Sequence, residues 1–348
     1  MTPETSPNPT PLPPSSPPTP RAENPTFWRM FVVMFTGFAL PVLACYGLII
    51  VSALALQILS AGSGTSSFDF PASSSASGPA VAIIRVEGVI ASGESDPFNT
   101  GATAGTKTIL KNIEKAKDDD DVKAILLAVN SPGGGVVASD VIYHALRGAG
   151  KPIVVVMGDL AASGGYYISM AADWIIANPH SLTGSIGVIS EFPSAEGLLD
   201  KVGVEFVVIT SGPRKDFGSP YREMTEAERQ YWQKTIDEIY ESFVQIVAEG
   251  RGLTVEAVRP LADGGVYTGR QALELKLVDQ LGYEEDAVNK AAELGGISGE
   301  PRIIEYRERP ALFELLSQSA AQRSLLPSLA EIMNFVGHPT VSLRWIGQ

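Results

Sequence analysis

The chain has 348 residues, 45% of them hydrophobic, with a formal net charge of −13 and a single cysteine, Cys45. That length and apolar content allow a large core. The negative balance excludes the basic face that nucleic-acid binding needs, and one cysteine excludes a disulfide framework or a cysteine metal site. His144, His180 and His338 are scattered without ligand spacing, so no metal or other cofactor is expected.

Residues 1–26 hold ten prolines among Ser, Thr and Asn. Such a stretch has too little apolar surface to offset ordering entropy, and 1–29 is read as a disordered tail. Met30–Leu59 carries no charge. As a helix it would run about 45 Å against a hydrocarbon core of about 30 Å, which suits one tilted transmembrane anchor. Arg21 and Arg29 precede it, and no Lys or Arg follows until Arg85. The positive-inside rule then puts the N-terminus in the cytoplasm and the bulk of the chain outside. A cleaved signal peptide is the alternative, with small residues at Ala53, Ala55, Ser60 and Ala61. Residues 60–78 are rich in Ser, Gly and Ala, a flexible linker. Charges within 1–60 cancel, so the acidity belongs to the chain beyond Ser60, which should stand off anionic lipid.

The folded part is expected over 79–300. Strands are predicted at 81–86, 122–129, 153–157, 174–177, 186–189 and 206–209. Helices are predicted at 107–117, 136–146, 163–172 and 195–201. The alternation implies an α/β fold around a largely parallel buried sheet. Thr225 and Glu228 fit a capping box opening a long helix to about Gly250, and shorter helices follow at 255–262, 269–275 and 284–294. In the 301–348 extension, Leu312, Leu315, Leu316, Leu325, Leu326, Leu329, Ile332 and Met333 give an amphipathic pattern. It would serve as a packing arm, a membrane-surface helix or a tail bound by a neighbour.

Three loops carry residues able to form one site. Ser131-Pro-Gly-Gly-Gly135 follows a strand and precedes a helix; its amides could bind an oxyanion, or it is a tight turn. Ala161-Ala-Ser-Gly-Gly165 places Ser163 between a strand and a helix, as a helix cap or as an exposed nucleophile. Ser211–Pro220 carries Lys215, either a solvated loop lysine or a base. As a base its pKa must fall from about 10.4 to near 7, roughly 4 kcal/mol of desolvation and neighbouring dipoles. His180 sits in a turn, His144 on a helix and His338 in the tail, and none has a context that favours a base.

Five blocks in order resemble the signal peptide peptidase A family in its short, single-domain bacterial form. They are Asn130–Gly135, Met157–Ser169, Leu182–Val188, Arg214–Pro220 and Val266–Ala272, within a likeness that runs from about Val81 to Leu294. The resemblance implies a Clp/crotonase-like spiral of mostly parallel strands with outer helices, assembled into homo-oligomeric rings. It also implies a Ser/Lys dyad, with Ser163 as nucleophile, Lys215 as base and Ser185 as the hydroxyl that orients the lysine. Gly134 and Gly164 would supply the oxyanion amides. In a single-domain form the lysine is expected from a neighbouring protomer. The implied substrates are apolar remnants of signal peptides, and the implied location is the cytoplasmic membrane with the catalytic domain outside. A quality-control protease of the same fold, a non-proteolytic scaffold and an acyl-CoA enzyme of the crotonase type are the competing readings.

Overall fold

A computed structural model of the chain describes residues 78–95, 103–306 and 340–344, the last as backbone only. All lie in the second of two compact units, Gly64–Gln348. Residues 1–77, with the predicted tail and anchor and nearly all of the linker, lie outside the described residues, as does the amphipathic stretch at 312–333. Among the described residues no helix is long and apolar enough to cross a membrane.

The centre of the fold is three parallel strands, β1 (Ala80–Glu87), β4 (Val122–Ser131) and β6 (Ile153–Ala162). Their sequences are nearly unbroken apolar runs because both faces are covered. Ala82, Ile84 and Val86 face one core with Leu127, Val155 and Tyr166. Val81 and Ile83 face the other, with Ala124, Leu126, Ala287 and Ala291. Each fully buried aliphatic side chain contributes about 1.5–3 kcal/mol, and that sum makes this sheet the scaffold for everything attached to it.

The sheet continues from β6 to β8 (Leu182–Gly184) and β10 (Val266–Thr268) on one side, and from β1 to β12 (Arg302–Glu305) on the other. β6 serves two neighbours. Its first half, Val154–Met157, pairs with β7 (Trp174–Ala177), and its end, Leu160–Ala162, pairs with β8. The switch coincides with a register shift against β4, where the Asn130 side chain accepts a hydrogen bond from the Leu160 amide (3.0 Å).

A second sheet crosses the ends of these strands. It runs β3 (Thr103–Gly105), β2 (Val89–Ala91), β5 (Gly133–Gly135), β13 (Thr340–Arg344), β9 (Ile189–Glu191). β5 needs glycine at 134, since a methyl there would overlap the Ile90 carbonyl oxygen of β2. The predicted helices are α1 (Thr106–Asp118), α2 (Val136–Arg147), α3 (Gly164–Ser169), α4 (Glu196–Val202), α5 (Glu226–Arg251), α6 (Val255–Val258), α7 (Gly269–Glu274) and α8 (Glu284–Leu294). The capping box is present at the start of α5: Thr225 Oγ1 accepts from the Glu228 amide, and the Glu228 carboxylate accepts from the Thr225 amide.

Two strand expectations are corrected. The run 186–189 is a strand only from Ile189, because Gly184 (φ 81°) and Ser185 (φ 48°) turn the backbone left-handed and Ile186 drops into the core. The run 206–209 forms no strand in this chain. Its Val-Val-Ile signal is real, but Val207 and Ile209 are 83% and 93% exposed, with no strand among the described residues beside them.

Gly134→Ala should break the β2–β5 pairing and lower stability by roughly 1–3 kcal/mol. Thermal unfolding of the variant against the parent measures this; an unchanged melting temperature would contradict the tight approach of the two backbones.

Candidate active site

β4, β6 and β8 are neighbours in one parallel sheet, and their carboxyl ends deliver three loops to one place. That edge is where open α/β sheets bind ligands. Register sets the detail. Ser131 pairs with Ala161, and Ala162 pairs with Gly184. The residues next in the chain, Ser163 and Ser185, therefore leave adjacent strand ends side by side. The Ser163 amide donates to the Gly184 carbonyl (2.8 Å), and the Ser185 amide donates to the Gly265 carbonyl (2.7 Å).

Ser163 occupies the position just before α3, yet its hydroxyl makes no capping hydrogen bond. Its backbone is at φ 54°, ψ −115°, far from the extended geometry of a helix cap. A non-glycine residue held there costs about 1–3 kcal/mol, and such strain concentrates at functional sites. The hydroxyl is thus not used to cap the helix it precedes. The helix cap, one of the two readings open from sequence, is thereby set aside. The Tyr167 amide donates to the Ser163 carbonyl (2.8 Å) as the first helical bond, which leaves the Gly164 amide without an intrahelical acceptor.

Ser163 and Ser185 are both buried and both line a cavity of about 570 Å³. Its walls include Val188, Ile189 and Ala262, and one face of α5 with Gln233, Ile236, Asp237 and Tyr240. The α5 residues are absent from the sequence-based site. Their signal was there, since 233, 236, 237 and 240 share a helix face, but nothing told that face from any other. Gly134 lies in β5, and its loop is fixed by Ser131, whose hydroxyl donates to the Gly88 carbonyl (2.6 Å) and accepts from the Gly133 amide (3.0 Å).

Lys215 is not brought to this cavity by its own chain. It is exposed, and it is absent from the cavity lining. Its loop is nevertheless tightly held. The Arg214 guanidinium lies over the Tyr231 ring (4.4 Å). Asp216 accepts from Arg222 (2.8 Å), and Arg222 also forks onto Glu228 (2.6 and 2.9 Å). Phe217 packs between Phe192 and Trp232. Residues on both sides of Lys215 are anchored to the start of α5, and the lysine is left facing solvent. His180 and His144 are exposed and away from the cavity; His338 lies outside the described residues.

The profile of peptidase family S49 matches residues 145–298, and that of Clp protease matches residues 101–182. A relative from Synechocystis sp. that carries a protease name is 42% identical over 267 residues, covering 76% of this chain and 90% of that protein. The chain belongs to peptidase family S49. Protease 4 of Salmonella typhi, 39% identical over 261 residues, is matched over 74% of this chain but only 41% of its own length. A protein of Enterococcus faecium provisionally named signal peptide peptidase SppA is 40% identical over 236 residues, 67% of this chain and 68% of that one. This S49 chain is thus a serine protease with a Clp-protease-like fold, and both matched regions contain Ser163.

The Arg222 anchor gives a pH prediction. Hydrogen bonding from Arg222 holds the Glu228 carboxyl down at about 2, below the ordinary value of about 4.3. A carboxyl whose folded pKa is depressed stabilises fully above its unfolded pKa, and loses that contribution as pH falls toward the folded one. Glu228→Gln should therefore be clearly less stable than the parent to urea at pH 7. The gap should narrow between about pH 4.3 and pH 2. A difference independent of pH would refute the pairing.

Proposed function

We propose that the chain is a membrane-anchored endopeptidase whose Ser163 is activated by Lys215 of a neighbouring copy, and that it degrades apolar peptides left by signal-peptide cleavage. The observation that carries this reading is the left-handed backbone of Ser163 at a strand–helix turn, with its side chain on a cavity shared with Ser185.

In this reaction a neutral Lys215 takes the Ser163 hydroxyl proton, and the alkoxide attacks a peptide carbonyl. The amides of Gly134 and Gly164 bind the oxyanion; loss of one such donor costs about 3 kcal/mol. The protonated lysine then gives its proton to the leaving amine, and water deacylates Ser163. Ser185 orients the lysine. Supply of the base by a neighbour is supported by the exposure of Lys215 on a rigid loop. It is supported again by the exposed apolar run Val204–Ile209 nearby in sequence, which suits contact with another subunit. Val188, Ile189, Ile236 and Ala262 offer an apolar peptide contacts on a wall shared with the polar Gln233, Asp237 and Asp263, and the uncharged Met30–Leu59 would keep the enzyme where such peptides are released.

Ser163→Ala and Lys215→Ala should each lower peptidase activity by at least about 1,000-fold. Mixing the two inactive proteins under conditions that exchange subunits should restore roughly a quarter of the parental activity, because one site in four then receives both groups. An active Ser163→Ala protein would remove the nucleophile assignment, and a silent mixture would place the base within one chain.

A further inference from the structure

The cavity at Ser163 has a charged wall as well as an apolar one. Among the described residues that line it, the charged ones are Asp237 and Asp263, both carboxylates. Asp237 lies on the α5 face that borders the cavity, and its Oδ1 accepts from the Gln233 side chain one turn earlier (2.7 Å). Asp263 lies on the loop before β10. That loop is strapped to the turn of Ser185: the Ser185 amide donates to the Gly265 carbonyl (2.7 Å), and the Gly264 amide donates to the Ile186 carbonyl (3.1 Å). Asp263 Oδ1 accepts from the Gly265 amide (2.8 Å), which fixes the carboxylate on the strap.

Each carboxylate thus engages a neutral donor through one oxygen, and neither has a cationic partner among the described residues. Arg259, close to this wall, is already taken: it forks onto Glu241 (2.6 and 2.9 Å). Burial pushes the Tyr240 phenol up, Arg259 opposes it, and Glu241 and Asp263 add to it, so the charge of Asp263 is felt on the α5 side of the cavity. A second observation points to a polar ligand here. Ser163 and Ser185 are only 1% and 6% exposed, they line the same cavity, and neither hydroxyl has a hydrogen-bond partner among the described residues.

We propose that Asp237 and Asp263 select peptides that carry a lysine or arginine next to an apolar run, binding that cation beside Ser163 so that the peptide is cut close to it. The proposal deepens the protease reading and rests on Ser163 being the reacting group. A basic residue abutting an apolar run is the pattern of a signal peptide, whose cationic n-region leads into its apolar h-region. The carboxylates take the cation, and Val188, Ile189, Ile236 and Ala262 take the side chains that follow. The net charge of −13 draws cationic peptides from a distance. Asp237 and Asp263, exposed to water, act at close range, where salt screens least.

The test uses the full chain and two fluorogenic peptides, each a run of leucines and alanines led either by arginine or by citrulline, its uncharged isostere. The kcat/KM should be about tenfold higher for the arginine peptide, the difference that one charge-assisted hydrogen bond makes. Asp237→Asn and Asp263→Asn should each shrink that ratio, and the double variant should abolish it. Asp237→Lys should favour a glutamate-led peptide over the citrulline one, a gain that damage to the fold cannot produce and that decides if the double variant does not fold. Moving the arginine along the run should move the cut, read by mass spectrometry. Equal kcat/KM for the two peptides in the parent, or a ratio that survives in the double variant, would overturn the proposal. Equal losses on both peptides would give the carboxylates to the neighbouring copy's Lys215 and overturn it as well. Binding of the same peptides, dye-labelled, to Ser163→Ala protein separates the acidic wall from the nucleophile assignment. Tighter binding of the arginine peptide, lost when Asp237→Asn is added, supports the wall even where turnover proves not to need Ser163; equal binding counts against it.

Discussion

One backbone hydrogen bond fixes the geometry on which the site depends: the Ser163 amide to the Gly184 carbonyl. It continues the β6–β8 register one residue past the last strand pair and holds Ser163 in a left-handed conformation that serine does not choose. The same register sets Ser185, also left-handed, beside it. The strain is held because its surroundings are over-determined, with Tyr166 buried beneath and hydrogen-bonded to Leu277 (2.8 Å), and with β4 and β6 packed on both faces. Ser163 therefore sits at the end of the doubly covered central sheet, where a site has little freedom to drift.

The lysine loop is built on the opposite plan. It owes its order to an arginine fork and a ring cluster at the start of α5, and these hold the flanks while leaving the centre free. A flexible loop could have folded Lys215 back onto its own chain. Anchoring Arg214, Asp216 and Phe217 restrains the loop from doing so. The two halves of the proposed dyad are each preorganised, one by a sheet and one by a helix terminus.

Much of this was legible in the sequence where physics is local. β4 and β6 read as strands because burial on two faces demands unbroken aliphatic runs, and α5 announced itself through Thr225 and Glu228. The Ser163 turn was legible as strand, glycines, helix; that its hydroxyl does not cap the helix was not, since a capped and an uncapped turn share that pattern until backbone angles are known. What stayed hidden depends on distant pairing. The three-residue strands β5 and β9 have no periodicity to detect. The run at 206–209 carried a valid strand signal without a strand beside it among the described residues. The α5 face with Asp237 and Tyr240 looks like any amphipathic helix until a cavity lies against it.

That run at 206–209, with no strand beside it among the described residues, has a consequence for biogenesis. A β-prone apolar segment left open is a template for adding strands from other chains, whether correct or not. Glu205 interrupts it on one side, and a net charge of −13 makes chance encounters between copies repulsive. Newly made chains are thus kept apart by long-range charge while they carry a short-range adhesive surface. Any partner that covered the segment would have to offer enough matching contact to overcome that repulsion, so the same acidity that keeps copies apart would act as a filter on what could assemble there.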